Sequence, residues 1–277
     1  MPHSRENRMK TLHNRFRSID EFELIRELGK GGYSTVHLAK HLETGRKYAI
    51  KCAAKYRKDK DISERTMLEI KVLCKLRHRS VIRLSGWFEN RDMIYIVLQH
   101  IPGRDLAKYF RKKLPTRQNL FVIMKQIISS VCYCHYKGII HRDIKLENIL
   151  IDNNMKIKLT DFGLCGIKES DDDYFYNRVG TARYTAPELL IDDGYNESVD
   201  VWGIGVVFFM LLTGEYPFTG SERKSIFSRI INKHIDYSQY NLSKDEIHLL
   251  KRLLCKDPRH RIQLEDICDH QWFLKYD

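Results

Sequence analysis

The sequence lacks any apolar run that approaches the length of a membrane-spanning helix. Such a helix needs roughly 20 apolar residues, and even the apolar stretch from Ile204 to Leu212 is too short. The chain begins MPHSRENRMK, which is basic but lacks the apolar segment of a secretory signal. We therefore expect an intracellular protein that does not bind membranes.

Cysteine pairs with metal-binding spacing are also absent. The seven cysteines are scattered, and none of them forms a C-x-x-C pair. This spacing argues against a structural zinc site, and it indicates reduced thiols that mostly fill the core of an intracellular protein. The sequence also shows no internal repeat, no low-complexity tract, and no zinc-finger or aromatic RNA-binding signature.

Basic residues, in contrast, are in excess. The 48 Lys and Arg residues outnumber the 36 Asp and Glu residues, which gives a net charge of +12. Such an excess favours acidic partners, including nucleic acid and anionic surfaces. Because the basic residues are spread along the chain, we favour a solvated basic surface with a phosphate-binding site, and we expect no direct binding of nucleic acid.

Apolar patterning divides the 277 residues into segments. Residues 1–21 are basic and polar, and they predict a flexible or loosely docked arm. From Phe22 to Leu98 short strand-like runs alternate with glycine-containing turns, and Ser63 to Leu76 has helical spacing. After Pro102-Gly103 the pattern becomes helical. A small β-rich segment therefore precedes a large α-rich one.

A glycine-rich segment, Leu28-Gly29-Lys30-Gly31-Gly32-Tyr33-Ser34-Thr35-Val36, lies between two predicted strands. Glycines let backbone amides approach phosphates closely, although ordinary hairpin turns also carry them. The pattern is G-x-G-x-x-S, so a third glycine is absent. A dinucleotide-binding fold is excluded, because no helix follows directly.

Lys51 ends the strand-like run Tyr48-Ala49-Ile50-Lys51. Such a lysine is usually a surface residue whose stem covers apolar side chains, but here it is also a candidate to bind the α- and β-phosphates of a nucleotide. Glu69 lies in the apolar stripe of the predicted helix, and an inward-facing carboxylate needs a cation. We therefore expect Glu69 to pair with Lys51; Glu64, the alternative, lies off that face.

Polar side chains with the chemistry of phosphoryl transfer follow in a fixed order. The segment His141-Arg142-Asp143-Ile144-Lys145-Leu146-Glu147-Asn148 precedes Asp161-Phe162-Gly163. Asp143 can orient a hydroxyl and accept its proton, and Lys145 can stabilise negative charge on a phosphoryl group. Asn148 and Asp161 offer the hard oxygen ligands that Mg²⁺ prefers.

With these motifs the chain resembles the eukaryotic protein kinases from Phe22 to Leu274. It has, in order, the glycine loop, Y-A-I-K, H-R-D-I-K-x-x-N, D-F-G and Ala186-Pro187-Glu188. The resemblance implies a two-lobed α+β fold: a small lobe of antiparallel sheet plus one helix at residues 22–98, a hinge at 99–103 and a large, mostly helical lobe at 104–274. It also implies an enzyme that uses ATP and Mg²⁺.

The resemblance assigns a role to each motif residue. Asp143 is the expected catalytic base, Lys51 the phosphate-binding lysine, and Glu69 the partner of Lys51. Asn148 and Asp161 are the expected metal ligands. The expected ATP-binding residues, with Leu98 as gatekeeper and Gln99 to Ile101 as hinge, are Leu28, Gly29, Lys30, Gly31, Gly32, Tyr33, Ser34, Val36, Ala49, Lys51, Leu98, Gln99, Ile101 and Leu150.

Two details resemble the serine/threonine branch of the family. Lys145 stands two residues after Asp143, and Gly180-Thr181-Ala182-Arg183-Tyr184-Thr185-Ala186-Pro187-Glu188 has the serine/threonine form. Thr181 is expected near Asp143 and Lys145 as part of the catalytic group.

The same resemblance predicts two structural contacts. Glu188 is expected to pair with Arg261, and Asp200 to organise the backbone of the catalytic loop.

A pseudokinase that serves only as a scaffold is disfavoured, because no catalytic position is replaced. A small-molecule kinase would lack the peptide-docking segment that ends at Glu188.

The branch within the family stays open. The segment from Trp87 to Leu98 and the pair Cys134-His135 resemble the Aurora kinases of the spindle assembly checkpoint. That likeness implies a cell-cycle kinase of the cytoplasm and nucleus, with chromosome or spindle association. Met210 departs from it, since Aurora kinases have glutamate there, and Ser34 replaces their third glycine. Polo-like, calcium/calmodulin-dependent and checkpoint kinases remain alternatives.

The expected partners are protein substrates with arginine before the phosphoacceptor. Glu147 and Asp105 match positions that read arginine in basophilic kinases, although Glu147 is alternatively a solvated loop charge.

Activation is expected to differ from that of related kinases, whose phosphorylated threonine is replaced here by Asn177. Arg142 needs an anion when buried, and we expect it to pair with one of three acids, Asp171, Asp172 and Asp173. The alternatives are phosphorylation of Ser170, Tyr174 or Tyr176, and an activating protein partner that orders the loop.

Overall fold

The computed structural model describes residues 9, 11–13, 15–31, 34–57, 60–170, 173–177, 179–191 and 194–276. The chain divides into two compact units, Met1–Pro102 and Gly103–Asp277, called unit 1 and unit 2 below. Within the described ranges, no helix combines the length and the hydrophobicity that crossing a membrane requires.

Unit 1 is built on a five-stranded antiparallel sheet. Its elements are a 3-10 helix at Ile19–Glu21, β1 (Phe22–Lys30), β2 (Ser34–His41), β3 (Lys47–Ala54), β4 (Tyr56–Arg57), β5 (Lys60–Asp61), α1 (Ser63–Lys75), β6 (Leu84–Glu89) and β7 (Met93–Gln99). The strand order is β1-β2-β3-β7-β6, and every neighbouring pair is antiparallel. The predicted small lobe of antiparallel sheet is confirmed.

The register of this sheet separates its two faces. Lys51 pairs with Val36, and Ala49 pairs with Leu98. Paired residues share a face and successive residues alternate, so these four residues lie on one face. Ile50 lies on the opposite face, in a buried apolar cluster with Phe16, Phe22, Ala39, Tyr48, Phe88, Tyr95 and Val97.

The last residues of the predicted arm belong to this folded unit. Phe16 is 5% exposed within the cluster around Ile50, and its ring centroid lies 5.1 Å from that of Phe22. Arg15 Nη1 donates a hydrogen bond to the carbonyl of Ser85 over 3.2 Å. Of the two expectations for residues 1–21, a flexible or a loosely docked arm, residues 15–21 fit the docked one, because Phe16 buries apolar surface on that face of the sheet.

Helix α1 carries the predicted apolar stripe. Glu69, Val72 and Leu73 are buried along one side of it. Leu76, the fourth member, is also buried but has extended backbone, so the helix ends one residue before the predicted boundary. Three-residue and four-residue spacing therefore identified the buried side correctly.

Unit 2 is mostly helical. Its helices are α2 (Leu106–Tyr109), α3 (Arg117–Tyr136), α4 (Glu188–Ile191), α5 (Ser198–Thr213), α6 (Arg223–Asn232), α7 (Lys244–Leu253) and α8 (Gln271–Leu274), with 3-10 turns at Leu146–Asn148, Ala182–Tyr184 and Glu265–Asp269. Its strands are β8 (Gly103–Asp105), β9 (Ile139–Ile140), β10 (Ile149–Asp152), β11 (Ile157–Leu159) and β12 (Gly166–Ile167). β10 pairs with β8 and β11, and β9 pairs with β12. This is the large helical lobe that the sequence predicts.

Helix α5 runs through the core of unit 2 and is apolar on nearly all sides. Trp202, Phe208 and Phe209 on it are fully buried. Gly203 allows a close approach, because a Cβ there would lie 2.9 Å from Cβ of Ile144. The helix is thus packed directly against the segment that carries Asp143.

The structure describes all seven cysteines, and each is a thiol. Burial raises the pKa of Cys52 and of Cys132 to about 11, and it raises the pKa of Cys134 further. These three side chains stay protonated at neutral pH. Cys74, Cys134 and Cys165 are buried in the core, whereas the other four cysteines are half-buried.

Candidate active site

Unit 1 brings Lys51 and Glu69 together. Lys51 Nζ donates hydrogen bonds to both carboxylate oxygens of Glu69, over 2.9 Å to Oε1 and 2.8 Å to Oε2. The Glu69 side chain is 4% exposed and that of Lys51 13%, so water screens the pair little. Glu64, the alternative partner, is exposed.

The residues expected around adenine lie close to this pair in the sheet. Val36, Ala49 and Leu98 share the Lys51 face, with Leu98 buried and the others half-buried. Gln99 ends β7, and its amide donates to the carbonyl of Arg83 over 2.9 Å. The remaining expected members are Ile101, which is half-buried near the end of unit 1, and Leu150, which lies in β10 of unit 2.

The glycine-rich segment includes the end of β1 and the start of β2. Three of its predicted nucleotide-binding residues end β1: Leu28, Gly29 and Lys30. The amide of Gly31 donates to the carbonyl of Ser34 over 2.8 Å, which closes the turn. Gly32 and Tyr33 lie outside the described residues.

In unit 2, Asp200 holds the backbone of the segment that precedes Asp143. Its carboxylate accepts hydrogen bonds from the amides of His141 and Arg142, each over 2.8 Å, and His135 Nε2 lies 2.8 Å from Oδ2. Burial alone would raise the pKa of Asp200, but the hydrogen bond and charge of His135 and the contacts of His141 outweigh it, so the pKa lies below its ordinary value.

The consequence of this contact is an unusual backbone. Arg142 has φ 64, a left-handed conformation that residues other than glycine rarely adopt. The ionised Asp200 carboxylate stabilises it by accepting the hydrogen bond from that residue's amide. The predicted role of Asp200 in organising this segment is confirmed.

Asp143 lies at the centre of a hydrogen-bond network. The Thr181 hydroxyl donates to Asp143 Oδ1 over 2.9 Å. Lys145 Nζ donates to Asp143 Oδ2 and to Thr181 Oγ1, the latter over 2.7 Å. Asn148 Nδ2 donates to Oδ2 and to the backbone carbonyl of Asp143, each over 2.9 Å. The structure thus brings together Asp143, Lys145, Asn148 and Thr181, four of the predicted site residues.

Asn148 and Asp161 offer oxygen ligands for a divalent cation. Both hydrogen bonds from Asn148 use Nδ2, and its carboxamide oxygen takes no part in them. Asp161 is exposed and left-handed, with φ 59, and it precedes the buried Phe162. Amide and carboxylate oxygens are ligands that Mg²⁺ prefers, so the donor chemistry of the two residues fits the magnesium of a nucleotide complex.

Residues 22–273 match the family model described as "Protein kinase domain". The chain belongs to the protein kinase domain family. The match covers nearly the whole range over which its motifs resemble the eukaryotic protein kinases.

The curated relatives of this kinase domain come from different branches. It is 35% identical over 257 residues to maternal embryonic leucine zipper kinase of Xenopus tropicalis, and the aligned region covers 92% of this chain and 39% of that protein. It is 34% identical over 256 residues to serine/threonine-protein kinase PLK4 of Nematostella vectensis, which covers 91% and 26%. Aurora kinase A-A of Xenopus laevis is 32% identical over 261 residues, which covers 93% and 63%.

Two facts follow from these relatives. The kinase domain spans well under half the length of the first two proteins named. Identity is also nearly equal across the branches, so it singles out none of them.

The kinase domain also contains the predicted contact between Glu188 and Arg261. Arg261 donates from Nη1 and Nη2 to the two carboxylate oxygens of Glu188, over 2.6 and 2.9 Å. Its Nε donates to the carbonyl of Cys255, and its guanidinium lies over the ring of Trp202. A buried, bidentate pair of this kind fixes the Ala186-Pro187-Glu188 segment against the core, and the prediction is confirmed.

Tyr184 is a contact residue that the sequence did not reveal. Its hydroxyl lies 3.2 Å from Met210 Sδ, 3.4 Å from Glu147 Oε2 and 3.4 Å from the amide of Leu146. Burial raises the pKa of Tyr184, so the phenol stays protonated. No spacing marks this cluster, because its members are far apart in the chain.

The expected partner of Arg142 needs correction. Asp173 accepts hydrogen bonds from the amides of Glu169 and Ser170 and from Ser170 Oγ, over 2.6, 2.9 and 2.7 Å. It therefore closes a local turn, and Asp173, one of the three acids expected as the partner of Arg142, does not pair with it. Asp171 and Asp172, the other two acids, lie outside the described residues.

Proposed function

We propose that this kinase domain is a serine/threonine protein kinase, which transfers the γ-phosphoryl group of ATP to hydroxyl groups of protein substrates. The observation that carries the proposal is the network in which Thr181, Lys145 and Asn148 all donate hydrogen bonds to Asp143. Phosphoryl transfer depends chiefly on positioning and charge stabilisation, and this network supplies both.

Three residues of unit 2 form the catalytic group in this proposal. Asp143 orients the hydroxyl and accepts its proton. Lys145 stabilises the negative charge of the phosphoryl group in transfer. Thr181 holds the Asp143 carboxylate in position through its hydroxyl. The serine/threonine assignment is supported by Lys145 and Thr181 and by the similarity to serine/threonine-protein kinase PLK4.

Other residues bind the nucleotide. Lys51, held by Glu69, binds the α- and β-phosphates, and the glycine turn and the apolar residues of its sheet face bind the rest of ATP. Asn148 and Asp161 hold Mg²⁺, which neutralises phosphate charge when it is bound. A protein kinase domain generally uses both ATP and Mg²⁺.

One assay separates this proposal from its alternatives. The chain is incubated with radiolabelled ATP and a generic basic protein, beside the Asp143→Asn variant as control. We expect label on serine and threonine of the protein with the wild type and none with the variant. Nucleotide binding without any transfer would identify a pseudokinase scaffold, and label on small molecules alone would identify a small-molecule kinase.

The finer proposal is an Aurora-like cell-cycle kinase of the cytoplasm and nucleus. It is supported by the Trp87–Leu98 and Cys134-His135 likenesses, while Met210 and Ser34 weigh against it. Calcium/calmodulin-dependent, checkpoint and polo-like kinases are the alternatives. A peptide-array specificity profile and the location of a fluorescently tagged chain test it: a proline-directed or acidic preference would reject it, as would exclusion from the nucleus throughout division.

A basophilic preference is the proposed substrate specificity, and Glu147 is its main carrier. Glu147 is exposed. Asp105, the second acid, is buried, caps α2 by accepting from the amide of Lys108 over 2.8 Å, and pairs with Lys108 Nζ over 2.9 Å. The Asp105 carboxylate is therefore already engaged, which leaves Glu147 as the more accessible acid for a substrate arginine.

A further inference from the structure

The guanidinium of Arg142 is bound by neutral groups. Its Nε donates to the carbonyl of Leu164 over 2.6 Å, and Nη2 donates to the carbonyl of Cys165 over 2.7 Å. Nη1 donates to the hydroxyl of Tyr195 over 3.0 Å. The guanidinium carbon also lies 5.0 Å from the ring centroid of Phe175, which is within the range of a cation–π interaction.

Phe175 and Tyr195 are joined to each other as well. The amide of each donates to the carbonyl of the other, over 2.8 and 2.9 Å, and their rings stack with centroids 5.8 Å apart. The Tyr195 hydroxyl, which accepts from Arg142, donates to the carbonyl of Asn177 over 2.8 Å. Burial raises the pKa of Tyr195, so the proton needed for this donation is retained. Arg142, Phe175 and Tyr195 are called the aromatic cluster below.

The surrounding backbone accommodates the aromatic cluster closely. A Cβ on Gly166 would lie 2.7 Å from the ring of Phe175, so only glycine leaves room for that ring. Gly180, with φ 105, passes the carbonyl of Arg142, where a Cβ would lie 3.1 Å away. The chain therefore leads from Asn177, fixed by Tyr195, past Arg142 to Thr181, whose hydroxyl contacts Asp143.

We propose that Phe175 and Tyr195 are positioning residues, which hold the segment before Thr181 through Arg142 and so make the kinase domain active without a phosphate in this segment. The proposal rests on the kinase activity proposed above. Its physical basis is the way the Arg142 guanidinium is bound. Neutral oxygen acceptors and the face of the Phe175 ring stabilise its positive charge, in place of the negative charge of a phosphate.

The same contacts argue against a phosphate bound at Arg142. Three N–H groups of the guanidinium donate to neutral oxygens, and Phe175 covers one face. A phosphate bound to these three N–H groups would have to displace the oxygens that accept from them now. The residue at the position phosphorylated in related kinases is Asn177, which has no hydroxyl.

The test uses the full chain after treatment with a broad-specificity phosphatase. Steady-state transfer to a protein substrate is measured together with amide hydrogen exchange at Phe175 and Tyr195. We expect the treated wild type to keep its activity and to protect both amides. Phe175→Leu should lower kcat/KM for the protein by about tenfold, the scale of a partly buried cation–π contact, and speed exchange at both positions.

Matched variants separate positioning from general damage to the fold. Phe175→Tyr restores a ring over the guanidinium and should restore kcat/KM. Tyr195→Phe keeps the stacked ring and removes only the hydroxyl, so it should give an intermediate loss. Tyr176→Phe removes a hydroxyl from a neighbouring tyrosine, which is 71% exposed, and should change nothing. The KM for ATP should stay the same in all four variants.

The outcomes distinguish failure of the positioning role proposed for the aromatic cluster from failure of the proposed kinase activity. Loss of activity on phosphatase treatment, or on Tyr176→Phe, would overturn the proposal in favour of a phosphorylated loop. An active wild type whose two amides exchange freely, or a Phe175→Leu variant with unchanged kcat/KM, would also overturn it. A wild type with protected amides but no transfer under any condition would instead reject the kinase activity proposed above, and with it any effect of the aromatic cluster on that activity.

Discussion

The hydroxyl of Thr181 lies 2.9 Å from Oδ1 of Asp143 and donates a hydrogen bond to it. The two residues are far apart in sequence, and the contact holds one carboxylate oxygen in place. Lys145 donates to both residues, and Asn148 also donates to Asp143, so the orientation of Asp143 depends on three donor side chains.

Asp143→Asn should nearly abolish transfer while nucleotide affinity persists. The amide cannot accept a proton, and loss of a general base costs on the order of 10²–10⁴-fold in rate. Single-turnover transfer and ATP affinity are measured together. Retention of more than about a tenth of the wild-type kcat would show that Asp143 is not the base.

Thr181→Val is the companion change, and Thr181→Ser its control. Valine keeps the shape of the side chain but cannot donate to Asp143. The loss of a hydrogen bond to a charged group, worth about 1.5–3 kcal/mol, should lower kcat by roughly 10-fold to 100-fold. Serine keeps the hydroxyl and should retain most of the activity. Equal losses in the two variants would mean that the hydroxyl is not what matters.

The sequence predicted elements and pairs that depend on local pattern or on motif spacing. Helical spacing identified the buried stripe of α1, and the glycine at 138, with φ 69, ends the region of α3 as expected. The pairs of Glu188 with Arg261 and of Asp200 with the backbone at Arg142 were expected from the family likeness, and both are present.

The surroundings of Arg142 and of Phe16 could not be predicted in the same way. The positive charge of Arg142 led us to expect an acidic partner. The sequence could not reveal that Phe175 and Tyr195 meet in space beside it. Phe16 is a single aromatic residue in a basic segment, without periodicity to mark it as buried. Both contacts are tertiary, and local pattern carries no information about them.

Lys51→Met should destabilise the chain and lower its activity. It leaves the buried carboxylate of Glu69 without the cation beside it, which costs about 3–5 kcal/mol for a buried pair. Glu69→Gln should act in the same direction, more mildly. A double-mutant cycle on the free energy of unfolding and on kcat/KM should show strong coupling between the two positions.

A second cycle in the same unit is the control. Lys55 Nζ and Glu89 Oε2 are 2.7 Å apart, but the Glu89 side chain is 40% exposed. Coupling in this pair should be no more than about 1 kcal/mol. If the free-energy losses of the two single variants at Lys51 and Glu69 were additive, the contact between them would contribute nothing to stability or activity.

Glu147→Gln should reduce the preference for arginine in substrates. The exposed carboxylate is the acid available to a guanidinium, and one such contact should account for roughly threefold to tenfold in kcat/KM. Peptides with arginine or alanine before the phosphoacceptor are compared. Asp105→Asn, the matched control, should lower the thermal midpoint and leave selectivity unchanged. A variant at 147 that still prefers arginine as strongly as the wild type would remove Glu147 from this role.

The stability of unit 2 should fall as pH drops below about 6.5, the ordinary pKa of histidine, because His270 resists protonation. Burial lowers the pKa of His270, the charges of His248 and Arg252 lower it further, and Asp245 opposes them. His270 Nδ1 accepts from the amide of Trp272 over 3.1 Å, and Nε2 lies 2.6 Å from His248 Nδ1. A second proton on the ring would disrupt the first of these bonds.

The sign of the effect follows from linkage. Since the folded-state pKa is below the unfolded one, the unfolded chain takes up the proton first as pH falls, and stability is lost in the acid range but not above neutrality. Denaturant midpoints at pH 8 and pH 5.5 measure this. His248→Gln should weaken the pH dependence, whereas His234→Gln, a change at an exposed histidine outside the pair, should leave it as in the wild type. A His248→Gln variant that follows the wild type at both pH values would place the acid sensitivity elsewhere.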